Sequence, residues 1–327
     1  MTPSADHKSS SNSWGNVPSD KRQLSALVDM DSPKAVHEEA LQILSLFSPP
    51  FDTEPVQRVF RFTVDLYEGR LPGYKACNTD YHNLHHITDT YLAMVRLLHG
   101  AQLSAEDFSE REVVLGIIGA LLHDSGMIQE SWDTEGTGAK YTIEHVQLSM
   151  DFVAKHAAAL HLSAHEISDL RDMILCTDLM AEIPAISFSS SRIELLGKIL
   201  ATADLIAQMA DRTYLEKLLF LYHEFREANV GNFKNAIDFY QQTLNFFELS
   251  LMRFKVTLDN TSRYMVPHFK SRWNLEENLY ILSLENQRKF LKNILADKNK
   301  TVYKELKRGN IIQLVRRKYG KIGPDDK

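Results

Sequence analysis

Residues 81–89 read YHNLHHITD and place three histidines and a terminal aspartate within nine positions. Apolar helical spacing resumes directly after this stretch, so the histidines are expected at the start of a buried helix. Polar groups in such a place need polar partners or a bound ion. The rest of the chain can therefore be searched for the side chains that meet them.

Two later stretches supply candidate partners. An apolar run from Val113 to Leu122 ends in the pair His123-Asp124, and Asp204 is a lone acid in the apolar helical stretch ATAD, residues 201–204. Imidazole and carboxylate donors together suit a divalent ion that keeps open positions for water. The predicted ligands of one or two such ions (Zn, Mn, Fe or Mg) are His86, His123, Asp124 and Asp204.

The bulk properties exclude several function classes. The chain has 327 residues, 44% of them hydrophobic, a net charge of −6 and a pI of about 6.1. Neither nucleic acid nor an anionic membrane surface is favoured by such a balance. Two cysteines are too few for a disulfide framework, and no run of about 18 apolar residues marks a membrane span. We therefore expect a soluble, cytoplasmic protein.

Apolar residues recur with a spacing close to 3.6 from Pro33 onward, with no convincing alternating strand pattern, which predicts an all-α, compact multi-helix domain of about ten helices. Ser109 and Ser163 each precede a glutamate by three residues, as in capping boxes. Gly100 and Pro267 are among the predicted breaks between helices. The expected organisation is a disordered tail over residues 1–20, a catalytic domain over 21–273, and C-terminal helices over 274–327 that pack on this domain or form a homodimer interface.

Five segments, spread over roughly residues 55–270, resemble those of class I cyclic-nucleotide phosphodiesterases within the HD-domain phosphohydrolase superfamily. The resemblance lies in the order of short motifs, and it implies the HD/PDEase-like helical fold. The matching segments are Tyr81 to Asp89, His123-Asp124, Thr142-Ile143-Glu144, Ile174 to Asp178, and Ala203-Asp204 with the following Tyr222 to Phe225.

The resemblance implies hydrolysis of a cyclic nucleotide or a related nucleotide phosphoester. His82 would be the general acid that protonates the leaving oxygen, and Glu144 would assist it through water or a hydrogen bond. Asp124 would bridge to a second ion, and His145 is a weaker candidate for an additional ligand. Asn83 and Asp89 would fix the loop and the orientation of the histidines.

The sequence also departs from the family pattern. In the family a further active-site histidine follows soon after the His-Asp pair, whereas this chain has Ser125-Gly126 there and lacks that histidine. Residues 252–273, where the family has a purine-binding glutamine, contain no glutamine. Tyr264, Phe269 and Trp273 could stack on a base, although aromatic residues at helical spacing more often belong to a core. The alternative function is therefore a catalytically degenerate HD module that acts as a ligand sensor or protein-interaction domain.

Overall fold

The computed structural model describes residues 23–297 and 301–322, and this part of the chain is all-α, as predicted. It contains fourteen α-helices rather than about ten, and two of them, in connecting segments, have only four residues. No sheet is present in these residues, where Tyr74 and Glu130 form a single isolated antiparallel bridge. The predicted tail over residues 1–20 lies outside the described residues.

The helices differ widely in length, from four to twenty residues, and short 3-10 turns connect several of them. Their bounds are α1 Pro33–Leu44, α2 Glu54–Tyr67, α3 Leu84–Leu103, α4 Glu110–Leu122, α5 His145–Lys155, α6 Ala157–Leu160, α7 Ala164–Leu175, α8 Ser191–Ala210, α9 Tyr214–Glu227, α10 Ala236–Met252, α11 Met265–Trp273, α12 Leu279–Ala296, α13 Val302–Glu305 and α14 Ile311–Tyr319. Arg253–Thr257 continues α10 as a π-helix.

The core is organised around α3 and α8, which are each twenty residues long and pack against one another. Sixteen residues of α3 are buried, because α1, α4 and α11 surround it as well. In the same way α4, α7 and α12 pack on α8. A helix that is apolar on nearly every face must lie inside the fold, and this placement brings the polar positions of α3 and α8 together in the interior.

Local start signals in the sequence are confirmed. Ser109 begins α4 and Ser163 begins α7, each with a complete capping box in which the serine oxygen accepts from the amide of the third helical residue. In the reciprocal bonds the amides of Ser109 and Ser163 donate to the carboxylates of Glu112 and Glu166, at 2.7 and 2.8 Å. Caps of this kind satisfy otherwise free amides at a helix start.

Gly100 is not a break between helices, contrary to the prediction, because it lies inside α3. A Cβ atom at this position would stand 1.7 Å from the carbonyl oxygen of Tyr264, so the glycine permits a close approach of two backbones. Pro267 likewise lies within the first turn of α11, where a proline displaces no helical hydrogen bond.

The C-terminal helices pack on the rest of the chain. The long helix α12 contacts α8, α9 and α10, and α14 contacts α9. Lys318 and Tyr319 at the end of α14 reach the carboxylate of Asp80, with the lysine Nζ 2.7 Å from Oδ2. Within the described residues, no helix combines the length and apolarity that crossing a bilayer requires.

The buried histidine pair His99 and His268 predicts a loss of stability in acid. Their Nδ1 atoms lie 3.0 Å apart. Burial lowers the pKa of His99 to about 4. Burial and the nearby charge of Arg96 lower the pKa of His268 well below its usual range. The unfolded chain binds these protons near pH 6.5, so stability falls as the pH drops below this value. We expect each histidine of this pair to contribute a loss of about 1 kcal/mol in the free energy of unfolding between about pH 7.5 and about pH 5.5.

Urea unfolding at the two pH values tests this expectation. The variant His268→Gln should lose less stability on acidification than the wild type, whereas the exposed His165→Gln should behave like the wild type. An equal loss in His268→Gln and the wild type would show that the buried pair does not set the acid sensitivity.

Candidate metal centre

Three helices bring the predicted ligands together. Asn83 caps α3, and its Oδ1 accepts from the amide of His86 at 3.2 Å, which fixes the first turn that carries this histidine. His123 ends α4, and Asp124 follows it in a non-helical conformation, so the two adjacent side chains can diverge and still reach one centre. Asp204 projects from the last third of α8.

The four side chains converge on a small volume. The Nε2 atoms of His86 and His123 lie 3.3 Å apart. Asp124 Oδ2 is 3.2 Å from the first nitrogen and 3.4 Å from the second. Asp204 Oδ1 is 3.3 Å from the nitrogen of His86 and 3.5 Å from that of His123. Both carboxylates therefore contact both imidazoles.

These spacings fit donors that share one ion. Donor atoms about 2.1 Å from a common ion lie about 3.0 Å apart at right angles and about 3.4 Å apart at the tetrahedral angle. The five measured separations, from 3.2 to 3.5 Å, are of this size. Oδ2 of Asp124 is also buried and has no hydrogen-bond partner. A buried carboxylate oxygen of this kind favours a nearby cation. The donor atoms of His86, His123 and Asp124 all lie within 4.8 Å of one another, so this group could hold a divalent metal; Asp204 as a fourth ligand stays a prediction.

Without a metal ion, protonated imidazoles balance the negative charge of the two carboxylates in the cluster. Burial opposes protonation of His86, but the carboxylates of Asp124 and Asp204 outweigh burial and raise its pKa to about 10. Burial likewise opposes ionisation of both acids, yet the imidazoles hold their pKa values below the usual range. A divalent ion would compete with the imidazole protons for the same atoms, so its binding would release protons.

Surrounding hydrogen bonds orient the ligands. Nδ1 of His123 lies 3.0 Å from the carbonyl oxygen of Ala120, which leaves Nε2 for the centre. Gln208, one turn after Asp204, donates from Nε2 to the aspartate Oδ1 at 3.2 Å and accepts from the hydroxyl of Tyr81 at 2.8 Å. Such contacts fix imidazole tautomers and carboxylate orientations around metals.

The predicted general acid, His82, lies beside the cluster, with its ring 5.9 Å from that of His86. Its Nδ1 is 2.6 Å from Oε2 of Glu224, a residue of α9 that is only 3% exposed. Burial disfavours the protonated imidazole, but Glu224 outweighs this effect and raises the pKa of His82. The other carboxylate oxygen accepts from the amide of Tyr81 at 2.6 Å.

Glu224 is thus the residue that contacts the predicted general acid, and it was not among the predicted site residues. The one signal for it in the sequence is an acid between aromatic residues in the stretch YHEF. Glu144, predicted to assist His82, is exposed at the start of α5. Among the described residues no hydrogen bond or ion pair joins the Glu144 carboxylate to His82.

A further histidine approaches Asp124 from α5. Nε2 of His145 lies 3.5 Å from Oδ1, the aspartate oxygen that does not face His86. Gly126 permits this approach, because a Cβ there would be 2.2 Å from the carbonyl oxygen of His145. Asp124 therefore has imidazoles on both of its oxygens, as a carboxylate that bridges two ions would need. A second ion remains a prediction.

Neighbouring polar groups are accounted for without an ion. His85, Asp89 and Asp211 form a second close cluster of possible donors beside the centre. The ammonium of Lys217 pairs with Asp211 and lies 3.2 Å from Nδ1 of His85, so a lysine already supplies the positive charge there. The aromatic candidates for base stacking, Tyr264 and Phe269, are buried in the core.

No protein-family model matches this chain, and no curated protein matches it. The resemblance of the motifs to cyclic-nucleotide phosphodiesterases stays a prediction. Functional inference for this chain depends on the geometry of its own side chains.

Removal of a ligand is expected to empty the centre. Asp204→Asn and His123→Ala each take away one donor to a buried ion, and we expect metal content to fall from about one ion per chain to near zero, with metal affinity reduced about 100-fold or more. Elemental analysis of protein purified without chelator measures this directly. The exposed Asp107→Asn serves as a control that keeps its metal; wild-type metal content in both ligand variants would refute the site.

Proposed function

We propose that this chain is a metal-dependent phosphohydrolase, and specifically a phosphodiesterase that hydrolyses a cyclic nucleotide or a related nucleotide phosphoester. The observation that supports it most is the convergence of His86, His123, Asp124 and Asp204 beside an imidazole held by a carboxylate. Metal ligands and a separate proton donor together are what hydrolysis of a phosphoester requires.

A divalent ion held by the four ligands would lower the pKa of a water and polarise a phosphoryl oxygen. The chain's own residues supply the rest of the chemistry. Glu224 holds Nδ1 of His82 at 2.6 Å, so the imidazole presents Nε2, which has no hydrogen bond to any described residue. A proton on Nε2 can pass to the alkoxide that leaves phosphorus.

Partial access to solvent is consistent with a reaction at this place. His86, His123 and Asp124 are buried, whereas the side chains of Asp204, His82 and His145 are 13, 16 and 24% exposed. The ligand cluster is therefore open on the side where the proton donor lies. A substrate phosphate that entered from this side would meet His82 and the centre together.

Replacement of Glu224 by glutamine is expected to slow turnover while the metal stays bound. The amide keeps the size of the side chain but removes the negative charge that raises the pKa of His82. The acidic form of His82 should then be lost at lower pH, so the alkaline limb of the pH–rate profile should shift toward acid. Glu144→Gln is the matched control, and we expect an unshifted profile. A shift in the control alone would assign the assisting role to Glu144 instead.

Hydrolysis assays test the proposed function itself. The full chain, loaded with Mn or Mg, is given bis(p-nitrophenyl) phosphate, cyclic AMP and cyclic GMP. We expect hydrolysis of a cyclic nucleotide, loss of activity together with metal in Asp204→Asn, and retained metal with turnover slowed by about two to four powers of ten in His82→Ala. Turnover of the generic diester alone would redirect the proposal to another phosphoester. Bound metal with no turnover of any substrate would contradict the enzyme and favour a binding module.

A further inference from the structure

A large cavity lies next to α3 and α8, lined by side chains other than those of the candidate metal centre. Its volume is about 840 Å³, and its walls come from the segment before α1, from α3, α8 and α12, and from the turn before α14. None of the four metal ligands and neither His82 nor Glu224 lines it. The volume is within the range of small-molecule sites, which is about 300 to 1,000 Å³.

Three of the four acids that line the cavity have positive partners, and the fourth, Asp29, is exposed to solvent. Oδ2 of Asp89 is 3.1 Å from His85, and Asp31 lies 3.3 Å from the other nitrogen of that ring. Asp211 pairs with Lys217. Oδ1 of Asp89 is the exception, since it is buried without a hydrogen-bond partner. Negative charge in the cavity is therefore largely balanced, and one acceptor oxygen is left over.

The cations of the cavity are not balanced. Arg96 is completely buried among the rings of Phe269, Trp273 and Tyr280. Its Nη1 donates a hydrogen bond to the hydroxyl of Tyr280 at 2.9 Å. Its Nε and Nη2 have no hydrogen-bond partner. No carboxylate of the described residues forms an ion pair with Arg96. A buried charge of this kind acts strongly through a low-dielectric interior.

Further positive charge stands at the mouth. Arg212, Lys307 and Arg308 are exposed there, and none of them forms an ion pair with a carboxylate of the described residues. The guanidinium of Arg308 donates to the carbonyl oxygen of Arg212 at 2.8 Å, which holds the two residues side by side. The three exposed cations and the buried guanidinium of Arg96 line one cavity and offer it several donors that an anion could accept from.

We propose that this cavity binds an organic phosphate of mononucleotide size. The phosphate would lie among Arg212, Lys307 and Arg308, and the organic part would fill the interior toward Asp89 and Arg96. An inorganic phosphate alone would occupy only a small fraction of the volume. The free Oδ1 of Asp89 can accept from a sugar hydroxyl, and Phe290, which is 39% exposed, offers an apolar face at the rim.

Binding of AMP, ribose 5-phosphate and inorganic phosphate to the full chain, measured calorimetrically in EDTA, tests the site without the metal centre. We expect AMP to bind most tightly and inorganic phosphate least. The double variant Arg212→Glu with Lys307→Glu should weaken AMP binding at least about tenfold. The control Lys255→Glu with Lys292→Glu changes the net charge equally at exposed positions away from the cavity and should bind AMP like the wild type.

Two more variants separate this site from the metal centre. Ser283→Trp, which places a large side chain in the cavity, should abolish AMP binding, whereas Asp204→Asn should retain it. No AMP binding by the wild type at millimolar concentration would overturn the proposal. Equal weakening of AMP binding in the Arg212→Glu, Lys307→Glu variant and in its charge-matched control would also overturn it. Loss of AMP binding in Asp204→Asn alone would overturn it as well. Equal affinity for inorganic phosphate and AMP would overturn the assignment of an organic phosphate.

Discussion

Burial of the Asp124 carboxylate is the constraint on which the interior of this fold depends. The residue is 3% exposed, it directly follows a helix of almost purely apolar residues, and one of its oxygens has no hydrogen-bond partner. A carboxylate in that position is tolerable only where positive charge surrounds it. The imidazoles of His86 and His123 face this carboxylate from one side and that of His145 from the other, and a divalent ion would supply positive charge there.

The helices distribute separate tasks around this acid. The start of α3, the end of α4 and the interior of α8 carry the candidate ligands, whereas α9 carries Glu224, which contacts both Tyr81 and His82 of the loop before α3. A proton donor fixed from a different helix can keep its position when a ligand is altered. The same two helices, α3 and α8, also form walls of the large cavity, which Asp89 and Arg96 line. Metal ligands and the proposed phosphate site thus share a common support.

Much of the fold could be predicted from local signals, because helix periodicity and capping boxes involve residues three or four positions apart. The caps at Ser109 and Ser163 are examples, and the order of His86, His123, Asp124 and Asp204 identified a set that does converge. Tertiary contacts set the rest. Glu224 meets His82 across 142 positions, so no spacing rule could pair them. Gly100 seemed a helix break for the same reason, since only the folded chain brings the carbonyl of Tyr264 against it.

The most direct test of the central claim is a crystal structure of the protein soaked in Mn or Zn, with anomalous diffraction collected at the absorption edge of the metal. The account predicts an anomalous peak about 2.0 to 2.2 Å from Nε2 of both His86 and His123, with Asp124 and Asp204 also bound to it. An anomalous peak at the cluster of His85, Asp89 and Asp211 instead, or no peak after soaking at a saturating metal concentration, would contradict the account.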